Sequence, residues 1–162
     1  MRTARGDAFA ASVARAGTLP ALAALLGAAA SDLGFSFFAI AEHANLARPP
    51  PDLLLLHNYP PGWADAFILG GWRHDPAWHA ASCRLAGFRW SELPALMRLS
   101  DMERAHLAAA RRAGLGNGYT VPLHAPGGRI ASCSFAVRPR HCVAPRALLA
   151  ADFIAQRAFL AA

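Results

Sequence analysis

The sequence predicts an α+β fold: an α-β-α sandwich in which an antiparallel sheet lies between helical layers. Three observations carry that prediction. The elements run helix, two strands, several helices, two or three strands, helix, which is not a strict strand–helix alternation. The strands arrive as hairpins, Phe35–Glu42 with Leu53–Asn58, then GYTVPLHAPGGRIASCSFAV folded on the Ala-Pro-Gly-Gly turn at 125–128. Hydrophobic residues make up 55% of the 162 and charged residues 16%, ample for the core of a single domain spanning 1–162. The apolar surplus also hints at a lined cavity or a partner surface.

Each element has a local reason. A short helix is expected over 7–15. Thr18 reads as an N-cap with Pro20 just inside a helix that runs to about Leu33, where Gly34 stops it. FSFFAIAE (Phe35–Glu42) reads as a strand apolar on both faces, and ARPPPD cannot continue a sheet. LLLLHN (Leu53–Asn58) is a second buried strand, stopped by Pro60 and Pro61, and Pro61 can open a helix over 62–69. Gly70-Gly71 breaks that helix. Asp75 then caps the next one, with Pro76 at its first position and Gly87 at its end. Residues 91–94 form a bend, Ser100 to Ala113 a helix stopped by Gly114, and APRALLAADFIAQRAFL an amphipathic closing helix.

Composition excludes several function classes. The net charge is +6 and every basic residue is Arg, but the arginines are scattered, and no helix-turn-helix, zinc finger or aromatic-basic pattern accompanies them. The chain by itself is a poor DNA binder. Cys83, Cys133 and Cys142 are odd in number and lack CxxC spacing, which suits reduced thiols in the cytoplasm. The alanine-rich run after Leu19 is too short to span a bilayer, and no signal peptide is evident, so no membrane partner is expected.

The seven histidines invite a metal test. His74 and His79 are five apart, His141 and Cys142 are adjacent, and no HExxH or paired CxxC exists, so no metal is expected. Ser134 sits in an alternating strand rather than a GxSxG elbow, and nothing marks Cys83 as a thiolate, so no enzyme is expected either. The glycine-rich GGWRHD and GLGNG do not follow the strand–GxGxxG–helix order of a nucleotide loop.

The aromatic residues are distributed differently. NYPPGWADAFILGGWRHDPAWHAASCRLAGFRW, Asn58 to Trp90, holds all four tryptophans. Tyr59, Trp63 and Phe67 stand at four-residue intervals, so Trp63 and Phe67 share a helix face and Tyr59 can lean over the same side. Ordinary amphipathic packing explains an isolated i, i+4 pair. The phenol, the indoles and the nearby Asp75 add polar groups that a buried site must satisfy.

The segment NYPPGWADAF…WRHDPAW…FRW, together with GYTVPLHAPGGRIASCSFAV, resembles the autoinducer-binding domain of LuxR-type quorum-sensing regulators over roughly residues 15 to 160. The shared pattern is Tyr-x3-Trp-x3-aromatic, Asp-Pro, a Trp fifteen residues after the Asp, then Gly-x-Thr-x-Pro-Leu-His. The resemblance implies a five-stranded antiparallel sheet between two helical layers, with an acyl-homoserine lactone enclosed against one of them. It implies that Trp63 donates to the lactone carbonyl, Asp75 accepts from the amide N–H, and Tyr59 donates to the amide carbonyl with Ser134 in support. It implies that Trp90 packs on the lactone ring, Thr120 reaches the head group through water, and Gly118 leaves room for the helical layer. Apolar walls for the tail are expected from Leu53, Leu55, Phe38, Ile40 and Phe67, with Ser36 leaving space on the face of Phe38 and Ile40.

Two departures from the family pattern bear on the ligand. The third aromatic is commonly Tyr in the family and is Phe67 here, so it cannot hydrogen-bond a tail substituent. The stretch from Phe67 to Asp75 is one residue shorter, with Trp72 and Trp78 adding bulk, which implies a pocket of altered length or a more aromatic tail. The expected partners are a small-molecule autoinducer and a second copy of the chain in a homodimer. DNA would be reached only through the family's C-terminal helix-turn-helix, which lies outside these residues. No cofactor is expected beyond the signal ligand itself. A ligand-independent dimerisation module of the same fold is the alternative.

Overall fold

The computed structural model describes residues 2–162, with side chains from Gly6 onward. Seven α-helices accompany five strands: α1 Arg2–Ala14, α2 Leu19–Asp32, β1 Phe37–Glu42, β2 Leu55–His57, α3 Pro61–Ile68, α4 Pro76–Cys83, β3 Phe88–Arg89, α5 Leu93–Leu96, α6 Asp101–Arg112, β4 Gly118–His124, β5 Ile130–Ala136 and α7 Pro145–Ala161. The sheet is antiparallel throughout, in the order β2-β1-β5-β4-β3. This is the expected α+β sandwich.

The punctuation read from sequence recurs in the geometry. Thr18 caps α2 by accepting from Ala21 N, and Gly34 leaves that helix at φ +93, a conformation open to glycine. Ser100 and Glu103 form a reciprocal capping box at the start of α6.

Side chains alternate across a strand, so register decides which residues meet which helical layer. Ile40 lies opposite Cys133, and Cys133 opposite Val121. These three, with Phe38, Phe135 and Leu123, form the core against α1, α2 and α7. Phe135, Leu22, Leu26 and Ile40 are among the largest fully buried side chains, each contributing about 1.5–3 kcal/mol by leaving water. Ala39, Ala41, Ser132 and Ser134 point the other way, toward α3, α4 and α6.

That register corrects the expected tail walls. Phe38 and Ile40 belong to the α2 side, where a Cβ on Gly27 would lie 3.2 Å from the Phe38 ring. Ser36, in phase with them, leaves no space in the opposite layer. A strand apolar on both faces gives no clue to which face encloses the void, and the smaller residues, Ala39 and Ala41, line it.

Other boundaries moved for tertiary reasons. Helix α1 begins at Arg2 rather than residue 7, supported by its packing on α7, where Gly6 approaches Phe153. Helix α4 ends at Cys83, before Gly87. Arg84 is extended, its carbonyl accepts from His124 Nε2 and its guanidinium donates to the Leu96 carbonyl, so the chain peels away. Phe88 and Arg89 then pair with Thr120 and Tyr119 as the edge strand β3. Residues 91–94, expected as a bend, belong to a 3-10 turn over Trp90–Glu92 and to α5.

Candidate ligand-binding site

Pro60 and Pro61 end the second strand and start α3, which presents Trp63 and Phe67 one turn apart toward the sheet. Gly70 and Gly71 turn the chain into a 3-10 segment, Gly71–His74, that delivers Asp75 to the head of α4. A cavity lies between these helices, α6 and the alanine-serine face of the sheet. Six of the eight residues expected at the site line it: Tyr59, Trp63, Phe67, Asp75, Trp90 and Ser134. Gly118 and Thr120 stand immediately behind its wall. The cavity volume is about 60 Å³, room for a few waters at the ~10–15 Å³ that one needs, and small for a lipid-like guest.

One end of the cavity is polar. Trp90 Nε1 donates to Thr120 Oγ1 at 2.9 Å, and Thr120 Oγ1 lies 2.8 Å from Ser134 Oγ. Thr120 is fully buried, so the order that uses its single proton sends it to Ser134. Ser134, half-buried, then keeps its own proton for the cavity. Gly118 makes this possible, because a Cβ there would fall 2.3 Å from the Trp90 ring. Burial pushes the Tyr59 phenol up, the Asp75 carboxylate adds to that, and the nearby Ser134 hydroxyl opposes it, so Tyr59 is a neutral donor. Asp75 Oδ1 accepts from Ala77 N at 2.8 Å. Burial raises its pKa, while His106 and the backbone N–H groups of Ala77 and Trp78 favour the ionised form.

The other end is aromatic. Phe67 meets Trp78 edge-on with centroids 5.8 Å apart, and Trp72 backs Trp78 at 5.9 Å. Leu55 and Ala41 complete the wall, and Leu53 packs against the same cluster without lining the cavity.

Two histidines escaped the reading of the sequence. His43 stacks on Trp78 at 4.0 Å and 11°, with Nδ1 2.8 Å from Ser82 Oγ and Nε2 2.9 Å from Ser132 Oγ. Ser82 gives its own proton to the Trp78 carbonyl, so His43 carries its hydrogen on Nδ1 and accepts from Ser132. Burial first, then His124 and His79, hold His43 down at about 4. His106 lines the cavity between Trp63 and Phe67, with ring centroids 4.9 and 6.2 Å away. The signal was available: Glu103, His106, Leu107 and Ala110 share the inward face of α6. A search for metal-ligand spacing passes over a histidine placed by helix period.

Among the described residues no group of three His, Cys, Asp or Glu side chains is placed to hold a metal, and no helix is long and apolar enough to cross a membrane. His79 is engaged with Glu103 at 2.8 Å. All three cysteines are free thiols, Cys133 buried and the other two exposed.

The autoinducer binding domain family matches residues 18–162. The transcriptional activator protein ExpR of Dickeya dadantii is 28% identical over 91 residues, covering 56% of this chain and 36% of that protein. The chain spans about a third of the length of the curated relatives it matches. Escherichia coli SdiA superposes with a TM-score of 0.79 at 16% identity, covering 99% of this chain and 67% of that one. CepR2 from Burkholderia cenocepacia, described as an N-acylhomoserine lactone dependent LuxR family transcription factor, gives 0.71 at 19% identity, covering 96% and 90%. These two share the fold. The relatives are transcriptional regulators with a ligand-binding domain rather than enzymes, and the chain belongs to the autoinducer-binding domain family of LuxR-type quorum-sensing regulators.

Proposed function

We propose that this domain binds an N-acyl-homoserine lactone or a close neutral analogue, and couples that binding to dimerisation and DNA binding in a regulator of the cytoplasm. The observation that carries the reading is the convergence of one carboxylate acceptor, Asp75, and the donors Tyr59 and Ser134 on a single cavity walled elsewhere by aromatic and small apolar side chains. An amide needs one donor and one acceptor, and leaving either unpaired in a dry site costs about 1–3 kcal/mol. Asp75 takes the amide N–H, and Tyr59 with Ser134 takes its carbonyl. Trp63 donates to the lactone carbonyl. Trp90, its own N–H committed to Thr120, offers the ring face to the lactone. Thr120 acts by holding both Trp90 and Ser134 rather than by touching the ligand.

The dependence of CepR2 on N-acylhomoserine lactone supports the same ligand class. On this reading, binding parts the helical layer from the sheet to seat a ligand larger than the present cavity. Mass spectrometry of small molecules extracted from protein made in its native host tests the reading directly. An acyl-homoserine lactone at near-stoichiometric yield is expected, and extracts without any such amphiphile, joined to an absence of calorimetric binding across a lactone series, would overturn it.

A further inference from the structure

We propose that His106 is a specificity-determining residue that selects ligands carrying a second hydrogen-bonding oxygen on the tail, close to the amide. The inference rests on the lactone-binding reading and adds a ligand subclass to it.

His106 sits where the polar and aromatic ends of the cavity meet, between Trp63 of the first and Phe67 of the second. Its side chain is only 9% exposed, and Nε2 lies 3.9 Å from Asp75 Oδ1. That gap is too wide for a direct hydrogen bond. Asp75 Oδ1 is already engaged by the Ala77 N–H, whereas the imidazole beside it has no hydrogen bond among the described residues, although a buried ring nitrogen prefers a partner. Burial holds the imidazole neutral, against the pull of Asp75, with His74 and His79 adding to the same downward shift. A neutral ring has one N–H, and the Asp75 carboxylate favours it on the facing Nε2. The site thus presents an acceptor for the ligand amide and, beside it, a donor for an oxygen a few bonds along the chain. Phe67, bare of a hydroxyl, cannot supply that donor. An apolar residue at 106 would complete the wall equally well for a plain acyl chain, so simple tail packing does not account for the imidazole.

The test is calorimetry on the 162-residue chain with three probes sharing head and length: N-hexanoyl-, N-(3-oxohexanoyl)- and N-(3-hydroxyhexanoyl)-homoserine lactone. The oxygenated pair is expected to bind at least fivefold tighter than the plain chain. In His106→Leu the three affinities fall within twofold of one another, and His106→Gln, which keeps a donor, restores part of the preference. Equal binding of all three to the unaltered protein, or a preference that survives in His106→Leu, overturns the assignment of His106 alone. The unaltered protein decides the first point whatever the variants' stability. Failure of all three probes and of their octanoyl and decanoyl homologues to bind overturns the lactone reading itself, and this inference with it.

Discussion

Asp75 caps α4 through the hydrogen bond its Oδ1 accepts from Ala77 N, and the same carboxylate faces the cavity. The two roles separate in Asp75→Asn. Asparagine caps a helix about as well as aspartate, so the fold is retained, while the charged acceptor we propose for the ligand amide is lost. Lactone affinity falls by tenfold or more, about 1.4 kcal/mol per decade, in calorimetry, with the melting temperature of the ligand-free protein little changed. His43 makes a different prediction, on pH. Its folded-state pKa of about 4 lies below the unfolded value of 6.5, so between those limits the unfolded chain binds a proton that the folded chain refuses. Stability therefore falls as pH drops through that window, by up to about 3 kcal/mol from this residue. Asp75 and Asp152, with raised pKa values, act in the opposite sense, so the comparison that isolates His43 is with His43→Gln. Urea unfolding between pH 7 and 4.5 should show a flatter loss of stability in the variant than in the parent.

At the scale of elements, the stacked pair of Trp78 on α4 and His43 beyond the end of β1 closes the aromatic end of the cavity. The imidazole is held at both nitrogens by serines on two different elements, so Trp78 cannot swing outward without breaking them. Trp78→Val opens that wall and should move the preferred acyl chain longer by several carbons, measured as relative affinity for hexanoyl, octanoyl and decanoyl homologues. An unchanged length ranking would show that the wall lies elsewhere. The same region shows what the sequence could reveal. Caps, proline stops and the four-residue aromatic spacing are local, and they placed the starts of α3 and α4, with Trp63, Phe67 and Asp75, where the structure has them. The face of β1 that lines the void was not legible, because Phe38 and Ala39 are both apolar and only pairing with β5 sorts them. Strand β3 was hidden for a related reason: two residues carry no periodicity, and Phe88–Arg89 are extended only because β4 offers an edge. His106 needed the helix period rather than a motif.

For the whole molecule, α7 bears an apolar stripe that the fold leaves in solvent: Leu149, Phe153 and Leu160, at 73%, 41% and 73% exposure, fall on one line of the helix. A second copy of the chain is the partner we propose for it, and Leu149→Glu with Leu160→Glu should shift the protein from dimer to monomer in sedimentation without weakening lactone binding, since neither residue lines the cavity. The ligand we propose would act on the other side of the sheet, in the layer formed by α3, α4 and α6. A molecule that binds the folded chain and not the unfolded one stabilises it by mass action, about 2.7 kcal/mol at a hundredfold excess over Kd. For a domain of this size each kcal/mol raises the melting temperature by about 2–4 °C, so a true ligand at that excess raises it by roughly 5–10 °C. The shift should shrink in Asp75→Asn at the same ligand concentration and persist in the α7 variant. If no lactone of any length moves the transition, the about 60 Å³ of free space is all this layer offers, the aromatic side chains are the cavity's permanent filling, and the domain works by association alone.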